Sequence, residues 1–98
     1  METIRVKDYQ TSAGDYSSGC ALLNACRSSF EKKEAITLDF EDSTGISSSF
    51  LNGFLGDAFD AYGVESIRPL LQASNISGSK ISSMKKYISD YIKLHSQV

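Results

Sequence analysis

The amino-acid sequence predicts a small α/β domain in which a mostly parallel sheet is covered by helices. Segments with strand and helix patterns alternate along the chain in the order β-α-β-α-β-α. This alternation needs crossover connections, which join parallel strands. The 98 residues suit one domain (residues 1–98), and a hydrophobic content of 41% is enough for one core. We therefore expect a single domain with a mixed, mostly parallel sheet.

Three segments carry strand patterns. Residues 3–9 alternate apolar and charged side chains, as a strand with one wet face does. Residues 35–40 give the clearest pattern, with three apolar side chains on one face and Asp39 near the carboxyl end. Residues 64–74 contain Pro69, which cannot donate a hydrogen bond to a neighbouring strand. The third strand is therefore expected to lie at a sheet edge or to begin at the proline.

Three amphipathic helices are predicted from apolar residues that recur three and four positions apart. The first begins at Cys20, after a polar loop in which Ser17 or Ser18 caps it. The second covers residues 50–62 and has an aromatic buried face. The third covers residues 81–92 and follows a turn with two candidate N-caps.

Glycines mark the second helix at its end and inside it. Gly63 is expected to end the helix as its C′ residue. Gly53 and Gly56 lie inside the helix, where each costs roughly 1 kcal/mol relative to alanine. Close packing against the sheet explains that cost, and so does the close approach of a partner.

The charge pattern argues against nucleic acid and membrane as partners. The formal charge is −2, and acidic and basic residues are interspersed rather than gathered on a basic face. No apolar run reaches the ~20 residues of a membrane span, and the N-terminus does not have a signal-peptide pattern. We expect a cytoplasmic protein.

Cys20 and Cys26 are too far apart on one helix for a disulfide, so free thiols are expected.

The junction between the second strand and the second helix is the predicted functional site. In a parallel α/β sheet, ligands bind at the carboxyl ends of the strands. Ser47, Ser48 and Ser49 stand at the start of the helix, where one of them is expected to be the N-cap. A phosphate on a serine at this position would be stabilised by the free N–H groups and the helix dipole.

Acidic residues precede this turn and suggest a different chemistry. Asp39, Glu41 and Asp42 are either solvated loop residues or a site for Mg²⁺ or paired acids. Thr44-Gly45 lacks the glycine-rich loop with Lys-Ser/Thr that holds nucleotide phosphates. His95 is the only histidine, and it lies near the terminus. We therefore expect no catalytic residue, no bound metal and no cofactor.

The residues of the junction resemble a known family. Residues 38–42 and 46–50, with Gly53 and Asn75, are similar to the STAS-like family of unknown function. The resemblance runs from about residue 4 to residue 92, and it extends more distantly to STAS domains of bacterial anti-sigma factor antagonists. It implies a small STAS-like sandwich. It also implies association with histidine-kinase-like ATPases.

In those antagonists, an Asp-x-Ser-Gly sequence at the strand-to-helix junction carries a phosphorylated serine. Ser49 matches that serine, while Ser47 and Phe50 stand where the motif has Asp and Gly. The resemblance therefore makes Ser49 the candidate phosphoacceptor, with Ser48 as the alternative.

Two functions from different classes follow. The first is a non-enzymatic regulatory module that docks a histidine-kinase-like ATPase or another regulator, with serine phosphorylation as its switch. Its expected surface comprises Asp42, Thr44, Gly45, Ser47, Phe50, Asn52 and Gly53. The alternative is a small nucleotide- or metal-dependent enzyme, or a ligand-binding domain, that uses the loop from Asp39 to Ser49. A homodimer stays open, although Pro69 disfavours simple pairing of sheet edges.

Overall fold

A three-stranded parallel sheet with helices packed on it forms the fold. The computed structural model describes residues 2–10, 15–43 and 45–96. In this part of the chain, strands and helices alternate as predicted, which confirms the α/β class. All three strands are parallel, so the sheet that these residues form is parallel rather than mixed.

The strands lie side by side in the order in which they occur along the chain, β1 (Glu2–Arg5), β2 (Ile36–Asp39) and β3 (Leu71–Ser74). The central strand β2 pairs with both neighbours, and Ile36 lies opposite Glu2 on one side and Leu71 on the other. Ile36 and Leu38 are buried because helices cover their face of the sheet. Strand β2 ends at Asp39, one residue before the predicted end, and Asp39 lies at the carboxyl end as expected.

The helices follow in chain order as α1 (Asp15–Glu31), α2 (Ser48–Leu51), α3 (Asp57–Tyr62), α4 (Val64–Ile67) and α5 (Gly78–Ser96). The π-helical turn Asn52–Gly56 joins α2 to α3 without a break, so one continuous helical segment runs from residue 48 to residue 62. Two short 3₁₀ helices, Val6–Tyr9 and Arg68–Leu70, complete the described elements.

The first helix begins earlier than its sequence pattern indicates. Helix α1 already includes Asp15, so Ser17 and Ser18 lie inside it, and the prediction that one of them caps the helix is wrong. Ser18 is only 2% exposed. The Gly/Ser-rich composition suggested a loop, but small residues are needed here because this part of α1 crosses the α2–α3 segment closely.

Both outer strands are shorter than predicted. The chain leaves β1 after Arg5 and turns into a 3₁₀ helix, and the predicted strand over residues 64–70 is instead α4 and a second 3₁₀ helix. Pro69 lies in that 3₁₀ helix, where its fixed φ is compatible and its missing N–H costs little. Strand β3 lies at the sheet edge, as predicted, but the proline precedes it.

The core lies between one face of the sheet and the helices. Its buried members come from β1 and the 3₁₀ helix after it, from β2 and Phe40, from α1 and from the helical segments between residues 48 and 67. The largest fully buried side chains include Leu22, Leu23, Ile36, Leu38, Phe54 and Leu55. The paired residues Thr3, Thr37 and Gln72 lie on the other face, and none of them is buried. Because the three strands are parallel, their carboxyl ends and the loop after Asp39 lie at one end of the sheet.

Helix α1 and the α2–α3 segment touch through glycine backbone. A Cβ atom at Gly19 would lie 2.2 Å from the carbonyl oxygen of Phe50, and one at Gly53 would lie 2.4 Å from that of Tyr16. Gly53 is therefore explained by close packing against α1 rather than against the sheet. Gly63 has φ of 91° and ends the helix, as predicted.

Candidate functional site

The loop after β2 is shaped by two backbone contacts and a left-handed residue. The N–H group of Phe40 donates to the carbonyl oxygen of Ser74 on β3 (3.0 Å), and the N–H group of Ser43 donates to that of Phe40 (3.0 Å). Asp42 has φ of 58°, a conformation that Asp and Asn tolerate better than most residues. The chain thus reverses tightly before it enters α2.

The acidic residues of the loop accept hydrogen bonds from the protein itself. Asp39 Oδ1 accepts from Asn75 Nδ2 (2.9 Å) and from the N–H group of Glu41 (3.0 Å), and Asn75 Nδ2 also contacts Glu41 Oε2 (3.5 Å). The Asn75 amide and the Glu41 N–H stabilise the carboxylate and lower the pKa of Asp39. Asp42 Oδ2 lies 3.7 Å from Lys7 Nζ.

The arrangement of these acids differs from a cluster of metal ligands. Across residues 2–10, 15–43 and 45–96, no group of three His, Cys, Asp or Glu side chains is placed to hold a metal ion. Asp39 and Glu41 share the amide of Asn75 instead. The hypothesis of a site for Mg²⁺ at this loop therefore has no support in the described residues.

Side chains from helix α5 and from the residue after the first 3₁₀ helix contact the rest of the loop. Lys80 Nζ donates to the carbonyl oxygen of Ser43 (3.0 Å) and to its Oγ (2.7 Å), and Gln10 Nε2 donates to the carbonyl oxygen of Gly45 (3.4 Å). These contacts leave Lys80 half-buried. No local pattern identifies this contact, because its partners are 37 positions apart. Thr44 lies outside the described residues.

Ser47 is the N-cap of α2. Its backbone is extended (φ −101°, ψ 169°), and its hydroxyl oxygen accepts a hydrogen bond from the N–H group of Phe50 (3.1 Å). This confirms that one of the three serines caps the helix. Ser48 and Ser49 follow in the first turn, and both are exposed. Their hydroxyl groups are not required for capping.

Replacing Ser47 by alanine is expected to lower the free energy of unfolding by about 1 kcal/mol, because the N–H group of Phe50 loses its acceptor. The matched controls Ser48→Ala and Ser49→Ala change exposed hydroxyl groups on the same turn, and we expect shifts within about 0.5 kcal/mol. Urea denaturation of the three variants measures this. Equal losses in all three would contradict the assignment of Ser47 as the cap.

A narrow cleft of about 180 Å³ separates the start of α2 from α5. Ser48, Ser83 and Lys86 are among the residues that line it. Lys86 Nζ donates to Asp90 Oδ2 (2.8 Å), and this hydrogen bond raises the pKa of the lysine. An ammonium group thus lies at the same cleft as a serine of the first turn.

The predicted interaction surface is only partly at the surface. Phe50 is 3% exposed and belongs to the core, and Gly53 is buried against α1, so neither is available to a partner. Asn52 is exposed, and its Oδ1 accepts a hydrogen bond from the Tyr87 hydroxyl (2.7 Å). The members that are at least partly exposed are Asp42, Gly45, Ser47 and Asn52, beside Ser48 and Ser49.

The sequence interpretation missed a second cleft, of about 340 Å³, between α3 and α5. Tyrosine hydroxyl groups donate to carboxylates there, from Tyr16 to Asp57 Oδ2 (3.1 Å) and from Tyr91 to Asp60 Oδ1. The hydrogen bond to Asp57 raises the pKa of Tyr16 to about 12. Burial, together with the bond to Asp60, raises the pKa of Tyr91 to about 12. These pairs connect residues more than thirty positions apart, which no local pattern shows.

The cysteines do not have the surroundings of an activated thiol. Both are free, and Cys26 is fully buried on the core side of α1. Burial raises the pKa of Cys26 to about 12, whereas a nucleophilic cysteine needs a lowered pKa. Cys20 is half-buried, and its Sγ contacts Asp57 Oδ2 (3.8 Å), which is an anionic rather than a cationic neighbour.

The family follows from comparison with known proteins. A family model described as a STAS-like domain of unknown function (DUF4325) matches residues 18–80, which is more than half of the chain. The chain belongs to this STAS-like family. Comparison with curated proteins found no match, and neither did comparison with solved structures. The match confirms the resemblance that the junction residues indicated.

The family match of this STAS-like domain covers the whole junction. It includes the three serines, Asn75 and Lys80, and it ends near the start of α5. Strand β1 and most of α5 lie outside the matched residues.

None of the helices in the described residues combines the length and the apolar content that a membrane span needs.

Proposed function

We propose that this STAS-like domain is a non-enzymatic, cytoplasmic regulatory module that docks a protein partner at the strand-to-helix junction. The observation that carries the proposal is the exposure of Ser48 and Ser49 on a first turn that Ser47 already caps. Two exposed hydroxyl groups that do not cap the helix therefore lie in its first turn. We define the junction surface as the exposed residues Asp42, Gly45, Ser48, Ser49 and Asn52.

Phosphorylation of a serine is the proposed switch at this surface. A phosphoserine carries about −1.5 to −2 charges, which the N–H groups and the positive end of the helix dipole stabilise. Ser49 is the first candidate because it matches the phosphorylated serine of the antagonists that the chain resembles. A phosphate on Ser48 would instead lie at the cleft of Lys86 and would compete with Asp90 for its ammonium group.

The proposed partner is a histidine-kinase-like ATPase, which the family resemblance suggests. Added negative charge at the junction surface would release a partner that buries it, because the phosphate would lose its hydration. It would recruit a partner that offers an arginine instead. Both outcomes give regulation without any chemistry by the domain itself.

Incubation with ATP and a histidine-kinase-like ATPase encoded beside its gene is expected to add one phosphate to the chain, as intact-mass spectrometry will detect. The phosphate should disappear in Ser49→Ala, or in Ser48→Ala if the neighbouring serine is the acceptor. Ser83→Ala is the matched control, since Ser83 is also exposed and lies across the cleft on α5. No phosphate, or one that persists in the double variant of Ser48 and Ser49, would exclude the switch.

A further inference from the structure

Helix α5 buries unusually few side chains for an amphipathic helix of its length. It spans 19 residues, yet none of the side chains described at positions 78–95 is fully buried, whereas α1 buries seven residues. Tyr87 and Tyr91 fix one side of α5 through their contacts with Asn52 and Phe59. The apolar side chains on the other side face β3 and stay half-exposed.

A groove runs along that side, between α5 and β3. It consists of two adjoining cavities of about 200 Å³ and 470 Å³ that share Arg68, Lys85 and Ile88 in their linings. Leu71 and Met84 contribute apolar surface to the first cavity. We call this feature the β3–α5 groove. An apolar groove of this kind leaves hydrophobic area in contact with water, which its occupation would remove.

The edge strand beside the groove offers hydrogen-bonding groups. In the described part of the chain, β3 pairs with β2 alone. The carbonyl oxygen of Ser74 bonds to β2, so strand alternation turns the N–H and C=O groups of Ala73 toward the open edge. The N–H group of Leu71 already donates a hydrogen bond to the carbonyl oxygen of Arg68. Pro69 precedes the strand, so proline does not block its edge.

The charge around the groove has one sign. Arg68, Lys85 and Lys93 line it, and among the described residues of its lining none is Asp or Glu. This local charge is opposite to the formal charge of the chain, which is −2. The basic side chains lie where the two cavities meet and along the second one, so a complementary ligand is apolar over the first cavity and acidic beside it.

We propose that the β3–α5 groove binds an extended segment of a partner protein that adds to the edge of β3 as a fourth strand. Backbone groups of the segment pair with those of Ala73, and alternate side chains point to the helix-covered face of the sheet. These alternate side chains are apolar and fill the groove, while flanking Asp or Glu residues lie beside the basic side chains. The site is separate from the junction surface and does not depend on a serine phosphate.

Selection from a displayed library of random peptides, with the purified protein as bait, tests the proposal. The enriched peptides are expected to carry two or three apolar residues at alternate positions, flanked by Asp or Glu. One such peptide is then synthesised with a fluorophore, and its Kd is measured by fluorescence anisotropy. Ala73→Pro removes the outward N–H group, and Lys85→Glu replaces one basic side chain of the groove with an acidic one. Each is expected to raise Kd roughly tenfold or more.

Lys86→Glu is the matched control, because it makes the same change at the next position of α5, on the side of the Asp90 pair. It should change Kd less than about twofold. Circular dichroism verifies that Ala73→Pro folds, and Lys85→Glu carries the test if it does not. A selection that enriches no peptide would overturn the proposal, as would binding that Lys85→Glu and Lys86→Glu weaken equally. Dimers that Ala73→Pro dissociates would identify a second copy as the occupant and would also overturn it.

Discussion

Replacing Gly19 by alanine is expected to lower the free energy of unfolding by about 3 kcal/mol. The added methyl group would lie 2.2 Å from the carbonyl oxygen of Phe50 and 2.9 Å from the backbone nitrogen of Phe54. These are backbone atoms inside a helix, so they cannot move aside one at a time. The two helices must separate, and each core side chain between them loses contacts. A loss of this size is a large part of the ~5–15 kcal/mol by which a domain is stable.

The reciprocal variant Gly53→Ala should behave in the same way, since its methyl group would lie 2.4 Å from the carbonyl oxygen of Tyr16. Helix propensity predicts the opposite sign for both, because alanine favours a helix by about 1 kcal/mol over glycine. The two explanations are therefore well separated in a urea denaturation experiment. If Gly53 served a partner instead of α1, its replacement would be neutral or stabilising.

Gly78→Ala supplies the matched control. Gly78 begins α5, it is exposed, and a Cβ atom there would meet nothing within 4 Å. We expect a change between zero and a gain of about 1 kcal/mol. The double variant of Gly19 and Gly53 should lose less than the sum of the single losses, because the helices are already apart after the first change. Additive losses would contradict a shared crossing point.

Local signals made the junction predictable. A hydroxyl cap and a left-handed C′ glycine act within one helical turn, so a cap among the three serines and the role of Gly63 were predicted correctly from neighbouring residues. The alternation of apolar residues in β2 likewise shows, from adjacent residues alone, which side chains face the core. The order of strands and helices then predicted a mostly parallel sheet, because parallel strands need crossover connections.

Contacts between distant parts of the chain were not predictable in this way. The early start of α1 depends on its crossing with Gly53, and the half-buried state of Lys80 depends on the carbonyl group of Ser43. The π-helical turn Asn52–Gly56 was also missed. One added residue in a turn leaves the apolar spacing of three and four nearly unchanged, so the pattern fits a regular helix equally well.

The same limit explains why the candidate surface was drawn too widely. Sequence proximity to the serines placed Phe50 and Gly53 at the surface with Asn52. Along a helix, however, residues one position apart point in directions about 100° apart. Neighbours of an exposed serine are therefore as often buried as exposed, and only the position of α1 and the sheet decides which of them face a partner.

Phe50→Ala is expected to cost about 3–5 kcal/mol, because it removes an almost fully buried aromatic ring from the core. Phe50 is 3% exposed, and its own N–H group is the one that the Ser47 hydroxyl caps. The ring thus anchors the turn that presents Ser48 and Ser49.

Urea denaturation of Phe50→Ala beside Ser49→Ala measures the effect, and the exposed neighbour should stay within about 0.5 kcal/mol of the unaltered protein. Phe50→Leu keeps most of the apolar volume and should recover a large part of the loss. If Phe50 were a contact residue for a partner, its removal would leave the unfolding free energy unchanged and would weaken binding alone. Burial predicts the reverse: the free energy of unfolding falls, and the proposed phosphorylation and docking at the serines change only because the turn that Phe50 anchors becomes looser.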